Sequence, residues 1–116
     1  MSFRGLQQRL KDMIEVGLEV ETFTKGMSFD EFQADLKTVR AVLYSFALIG
    51  EAAASLLPEV EVAYPEIPWA DIRGMRNIVI HEYFRVDLEI IWEAVQQDLP
   101  SLFQQLESLL DRLKAE

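Results

Sequence analysis

"MSFDEFQADLKTVRAVLYSFALIGEAAASL", residues 27–56, decides the fold class. It opens on a capping box: Ser28 can accept from the Glu31 amide while Glu31 reaches back to the Ser28 N–H, and Met27 is placed to staple onto Phe32. Apolar side chains then recur at Phe32, Leu36, Val39, Val42, Phe46, Ile49, Ala53 and Leu56, the three-and-four spacing that lines one face of a helix. This predicts one helix of about eight turns, stopped by Pro58. Gly50 and the small residues at 52–55 would let another helix approach closely. Glu51, the single charge in that run, could face a site.

The flanking sequence reads the same way. From Phe3, apolar positions Leu6, Leu10, Met13, Val20 and Phe23 form one helical stripe, ended by Gly26. Downstream, "PEVEVAYPEI" (58–67) alternates briefly like a strand, but its two prolines and the lack of a partner strand make it a surface loop, so no sheet is expected. Pro68 suits the first turn of a third helix, "WADIRGMRNIVIHEY", running to about Tyr83. Asp87 caps the next, which begins at Leu88 and carries Ile91, Trp92 and Val95 inward until "DLP" (98–100) either kinks it or starts a fifth helix through Leu113. The expectation is an all-α, four- to five-helix up-down bundle, one helical domain over residues 1–116.

Composition limits the function. The chain has 116 residues, half of them hydrophobic, enough for one core and one site. It has no cysteine, which removes disulfides, thiolate metal sites and a cysteine nucleophile and fits a cytoplasmic protein. "MSFRGLQQRLKDM" lacks the basic start and apolar run of a signal peptide. No stretch approaches the roughly 18 apolar residues of a membrane span, so no membrane partner is expected. A formal net charge of −9 repels polyanions over most of the surface, so any nucleic-acid contact must be local. Arg73, Arg76 and Arg85, three of the seven arginines, lie in one thirteen-residue window beside His81, the single histidine.

Within that window, "RNIVIHEYF" (76–84) sets polar, chemically capable side chains in an apolar segment. On a continuous helix, at about 100° per residue, Arg76 and Tyr83 fall within roughly 20° of each other. Asn77 and His81 share an adjoining face, so one polar patch is geometrically possible. Structural roles for such residues are common, and spacing alone leaves both readings open. One histidine and no cysteine do not supply the usual ligand set of a zinc site. Nor is there a GxxxxGK[ST], GxGxxG or GxSxG pattern, so phosphate-loop, dinucleotide-binding and hydrolase-elbow chemistries lack support.

Arg76, Asn77, His81 and Tyr83 reproduce RNxxxHxY in order and spacing. With "FTKGMSFDEF" (23–32), "IGEAA" (49–53), "YPEIPW" (64–69), "GMRNIVIHEYF" (74–84) and "DLEIIWEAVQQDLP" (87–100), the chain resembles the HepT-like branch of the HEPN superfamily over nearly its whole length. Glu82 departs from the small residue many relatives carry between the histidine and tyrosine, and adds a negative charge there.

The resemblance implies the toxin of a type VII toxin–antitoxin pair: a homodimeric, metal-independent endoribonuclease that needs no cofactor and takes RNA as substrate. Its implied partner, an MNT-type nucleotidyltransferase antitoxin, would transfer AMP to Tyr83. His81 would manage protons as the 2′-hydroxyl attacks the adjacent phosphate, Arg76 would stabilise the growing phosphoryl charge, and Asn77 would help orient either group. Arg73 and Arg85 are candidate RNA contacts. A two-fold dimer would supply a second His81 for the second proton transfer. Two alternatives remain open: a non-catalytic helical partner modified by the nucleotidyltransferase, and a nucleotide-binding regulatory dimer.

Overall fold

The computed structural model describes residues 3–56 and 58–115. Among them the architecture is all-α, with no strand. The helices run α1 Phe3–Thr24, α2 Phe29–Ala34, α3 Leu36–Ala54, α4 Pro58–Ala63, α5 Trp69–His81, α6 Leu88–Glu93 and α7 Leu99–Ala115. A 3₁₀ turn (Tyr83–Arg85) follows α5, and a π turn (Ala94–Asp98) joins α6 to α7. Helix α3 packs against both α1 and α5, and α7 packs against α1.

The buried stripe of α1 is Leu6, Leu10, Met13, Gly17, Val20 and Thr24, alternating steps of four and three. This corrects the expected endpoint. Phe23 is exposed, while Thr24 is buried because its hydroxyl donates back to the Val20 carbonyl (3.0 Å) and leaves no polar group unpaired. Gly17 belongs to the stripe for steric reasons: a Cβ there would lie 2.4 Å from Cε1 of Phe103 on α7. Gly26 follows α1 at φ 77°, the left-handed conformation that glycine adopts without strain.

The eight-turn helix expected from Ser28 is two helices. The capping box forms, with Glu31 N–H donating to Ser28 Oγ (3.1 Å) and Ser28 N–H to Glu31 Oε1 (3.0 Å). Met27 packs, half-buried, on the core containing Phe32. The chain then breaks at Asp35 (φ −102°, ψ 90°), whose carboxylate accepts from the Thr38 N–H and hydroxyl and starts α3 afresh. The side-chain cap outcompetes continuation of the helix, and Leu36 is left exposed at 63 %.

Residues 58–63, expected as loop, form the short helix α4 with Pro58 at its first position, where the missing N–H costs nothing. The following turn is pinned from both sides. Trp69 Nε1 donates to the Tyr64 carbonyl (3.0 Å), Gln105 Nε2 donates to the Glu66 carbonyl (2.9 Å), and Arg112 pairs with the Glu66 carboxylate while lying over the Tyr64 ring. Asp87 caps α6 as expected, and Ile91, Val95 and the half-buried Trp92 face inward, Trp92 against Phe32. At "DLP" neither expected outcome occurs alone. Pro100 has no N–H to donate, and the turn before it widens to π geometry, with the Leu99 N–H reaching back to the Ala94 carbonyl. Leu99, Leu102, Phe103, Leu106, Leu109, Leu110 and Leu113 then continue the core along α7.

Candidate functional site

Helix α5 carries the motif, and its sequence explains how. Trp69, Ile72 and Val79 are buried and fix its inward face, which turns Arg76 toward α3. Gly50 of α3 accepts it. A Cβ on Gly50 would stand 2.3 Å from Arg76 Cβ and 3.0 Å from Cγ, so the arginine stem lies directly on the α3 backbone. Its head is held by two oxygens: Nη2 is 2.9 Å from Glu51 Oε2, and Nη1 donates to Asn77 Oδ1 at 3.3 Å. The Nε atom is buried without a hydrogen-bond partner among the described residues.

His81 is the last residue of α5 and is exposed. No hydrogen bond to its ring occurs among the described residues. Five positions from Arg76, it is turned from it by about 140° on the helix, so Arg76 and His81 point in different directions within one chain. Asn77, one turn before His81 and also exposed, is the motif residue on the histidine's side.

Tyr83 does not continue the helix, which corrects its expected place on the Arg76 face. The backbone leaves helical geometry at Glu82 (φ −133°, ψ 29°), and Tyr83 begins the 3₁₀ turn, closed by the Arg85 N–H donating to the Glu82 carbonyl (2.8 Å). Its ring stacks at a tilt on Phe84, centroids 3.9 Å apart, and is 45 % exposed. It is therefore accessible.

The electropositive window is smaller than its arginine count suggests. Arg73 is ion-paired with Glu61 of α4, as Arg76 is with Glu51. Of the three arginines, Arg85 is the one whose side chain makes no ion pair or hydrogen bond among the described residues, and it is exposed. Glu61 carried no sequence signal, because its partner lies across the 64–68 turn. Glu51 did carry one, as a lone charge among small residues. No group of three or more histidine or acidic side chains that could hold a metal ion occurs among the described residues, and no helix there is long and apolar enough to cross a membrane.

An all-α chain with RNxxxHxY spanning the end of one helix defines a protein of the HEPN type. A model of the family described as "Ribonuclease HepT-like" matches residues 13–109, and the chain belongs to that family. Among curated proteins it is 37 % identical over 106 residues to "Probable ribonuclease HepT" of Thermococcus cleftensis, covering 91 % of this chain and 96 % of the relative. It is 36 % identical over 116 residues to "Putative RNase MJ0127" of Methanocaldococcus jannaschii, covering all of this chain and 96 % of that one. A third relative, "Putative RNase TTE0752" of Caldanaerobacter subterraneus, is 40 % identical over 90 residues, 78 % of this chain and 80 % of its own. No solved structure matches the chain.

Proposed function

We propose that this protein is a metal-independent endoribonuclease that works as a homodimer, the toxin of a type VII pair whose MNT-type nucleotidyltransferase silences it by transferring AMP to Tyr83. The observation that carries the reading is the pairing, on one helix, of an exposed histidine with an arginine anchored against α3. Cleavage of RNA by its own 2′-hydroxyl needs a proton acceptor for that hydroxyl, a proton donor for the departing 5′-oxygen, and a cation beside the phosphoryl oxygens. His81 serves the proton transfers. Arg76 serves the phosphate, since its planar fork stays charged at any working pH and suits bidentate contact.

The divergence of the two side chains supports the dimer. A two-fold partner sets a second Arg76 and a second His81 opposite the first, so that acid, base and cation can converge from two chains. Helix α5 also leaves Ile78 and Ile80 exposed, and α3 leaves Tyr44 and Leu48, apolar side chains of the kind that subunit contacts cover. The Glu51–Arg76 ion pair favours the rival reading, a non-catalytic substrate of the nucleotidyltransferase, because it partly neutralises the cation that RNA would need.

Purified protein incubated with total RNA in EDTA separates the two. The expected products carry 2′,3′-cyclic phosphate ends, DNA is untouched, and His81→Ala and Arg76→Ala each lose cleavage. Activity that depends on magnesium, or that survives in His81→Ala, defeats the ribonuclease mechanism; absence of cleavage by the wild type favours the rival.

A further inference from the structure

We propose that Gly50 and Glu51 form a cradle that positions Arg76, with Glu51 acting as a positioning residue for the phosphate-binding guanidinium and not merely as its counter-charge. The inference rests on the ribonuclease reading for its functional consequence, but its geometric basis is independent of it.

Three observations converge. An arginine has several rotatable bonds, and its head wanders unless the stem is packed and the donors are engaged. Here the stem lies on Gly50, where the added Cβ of any other residue would meet Arg76 Cβ at 2.3 Å. One end of the fork is fixed by Glu51 Oε2 at 2.9 Å, across the helix–helix crossing, and the other by Asn77 Oδ1 at 3.3 Å from within α5. The Nε–H, facing inward, is out of contact with solvent. Of the two oxygen partners, Glu51 is the stronger: it is closer, it is an acidic side chain, and it belongs to a different helix, so it defines where the guanidinium sits relative to α3. Glu51 remains 64 % exposed. It can therefore hold Arg76 while leaving the solvent side of the fork open to a phosphate.

Positioning and masking predict opposite signs. If Glu51 only masks the charge, removing it frees a cation and cleavage quickens. If it positions the cation, Glu51→Ala leaves the charge in place to attract RNA but loses its orientation in the transition state, so kcat falls roughly ten- to hundredfold while KM stays within about twofold. Glu51→Gln keeps an oxygen acceptor at the same reach and recovers much of the loss. An unchanged or raised kcat in Glu51→Ala, or no difference between the alanine and glutamine variants, overturns the proposal.

A second measurement needs no activity. In ¹⁵N-arginine-labelled protein, the Arg76 Nε–H, identified by its absence in Arg76→Lys, exchanges slowly with water because it is buried. Exchange is expected to accelerate markedly in Glu51→Ala and to remain slow in Glu51→Gln. Gly50→Ala is expected to accelerate it too by lifting the stem; should that variant fail to fold, the exposed Glu51 substitutions carry the test alone. Slow exchange retained in Glu51→Ala refutes the cradle. If the wild type cleaves no RNA, the ribonuclease reading fails, and the exchange measurement still decides whether Glu51 positions Arg76.

Discussion

Tyr83 sits two residues past His81, yet the helix ends between them, so the tyrosine stands on a turn beside Phe84 and not above Arg76. That placement suits a modification target, because a phenol on an exposed turn can enter another protein's active site without unwinding a helix. AMP on its oxygen would add a negative charge and an adenosine next to His81 and Arg85, blocking RNA by bulk and by repulsion. Incubation with the cognate nucleotidyltransferase and ATP is expected to add one or more AMP masses to the peptide holding Tyr83 and to suppress cleavage, and Tyr83→Phe should prevent both. An unchanged intact mass, or a label mapped elsewhere, removes this regulation and leaves the ribonuclease proposal standing. The motif residues could be read from the sequence because their spacing is short and ordered. The direction of Tyr83 could not, since the backbone's departure from helical geometry at Glu82 redirects everything after it.

Two helix starts, those of α2 and α3, are strengthened by carboxylates that accept hydrogen bonds best when ionised, Glu31 and Asp35. Hydrogen bonds from Ser28, first through its backbone N–H, hold the Glu31 carboxyl below its ordinary value of 4.5. The Thr38 hydroxyl, then its N–H, hold Asp35 below 3.8. Both values are depressed in the fold, so the stability these caps contribute is fully present above the ordinary carboxyl range and is lost as the pH falls through the lower folded values. Thermal midpoints are therefore expected to fall as the pH drops below about 4. Asp35→Asn should retain a cap at neutral pH but flatten that dependence, and Asp35→Ala should lower the midpoint at neutral pH by a few degrees. Equal acid sensitivity in the wild type and Asp35→Asn would show that Asp35 contributes nothing to it. The cap was written in the sequence as Asp35 and Thr38, but the uninterrupted apolar count masked it.

At the scale of the whole molecule, α3 is the axis: it packs against both α1 and α5, and Arg76 of the motif lies at its crossing with α5. Tyr44 and Leu48, one turn apart on α3, are exposed, as are Ile78 and Ile80 on the two flanks of the buried Val79 of α5, apolar side chains that the proposed second copy would cover in part. Light scattering at micromolar concentration is expected to give twice the chain mass. Placing a charge in this surface, with Tyr44→Glu and Ile80→Asp combined, should give a folded monomer that no longer cleaves RNA. A monomeric wild type, or a monomeric variant that still cleaves, removes the composite site from the mechanism.

What this sequence determined by itself is local: helical periodicity, the Ser28 and Asp87 caps, the glycine that ends α1, and an ordered motif specific enough to place the chain in its family. These depend on interactions within a few residues, which a linear string displays. Tertiary structure alone decided that Gly17 admits Phe103, that Gly50 bears the stem of Arg76, and that Glu51 and Glu61 take up two of the three clustered arginines. Each is a contact between elements distant in the chain, whose existence depends on which faces the packed helices turn toward one another. A count of charges along the sequence holds no record of that direction, and so overstated the positive surface left for RNA.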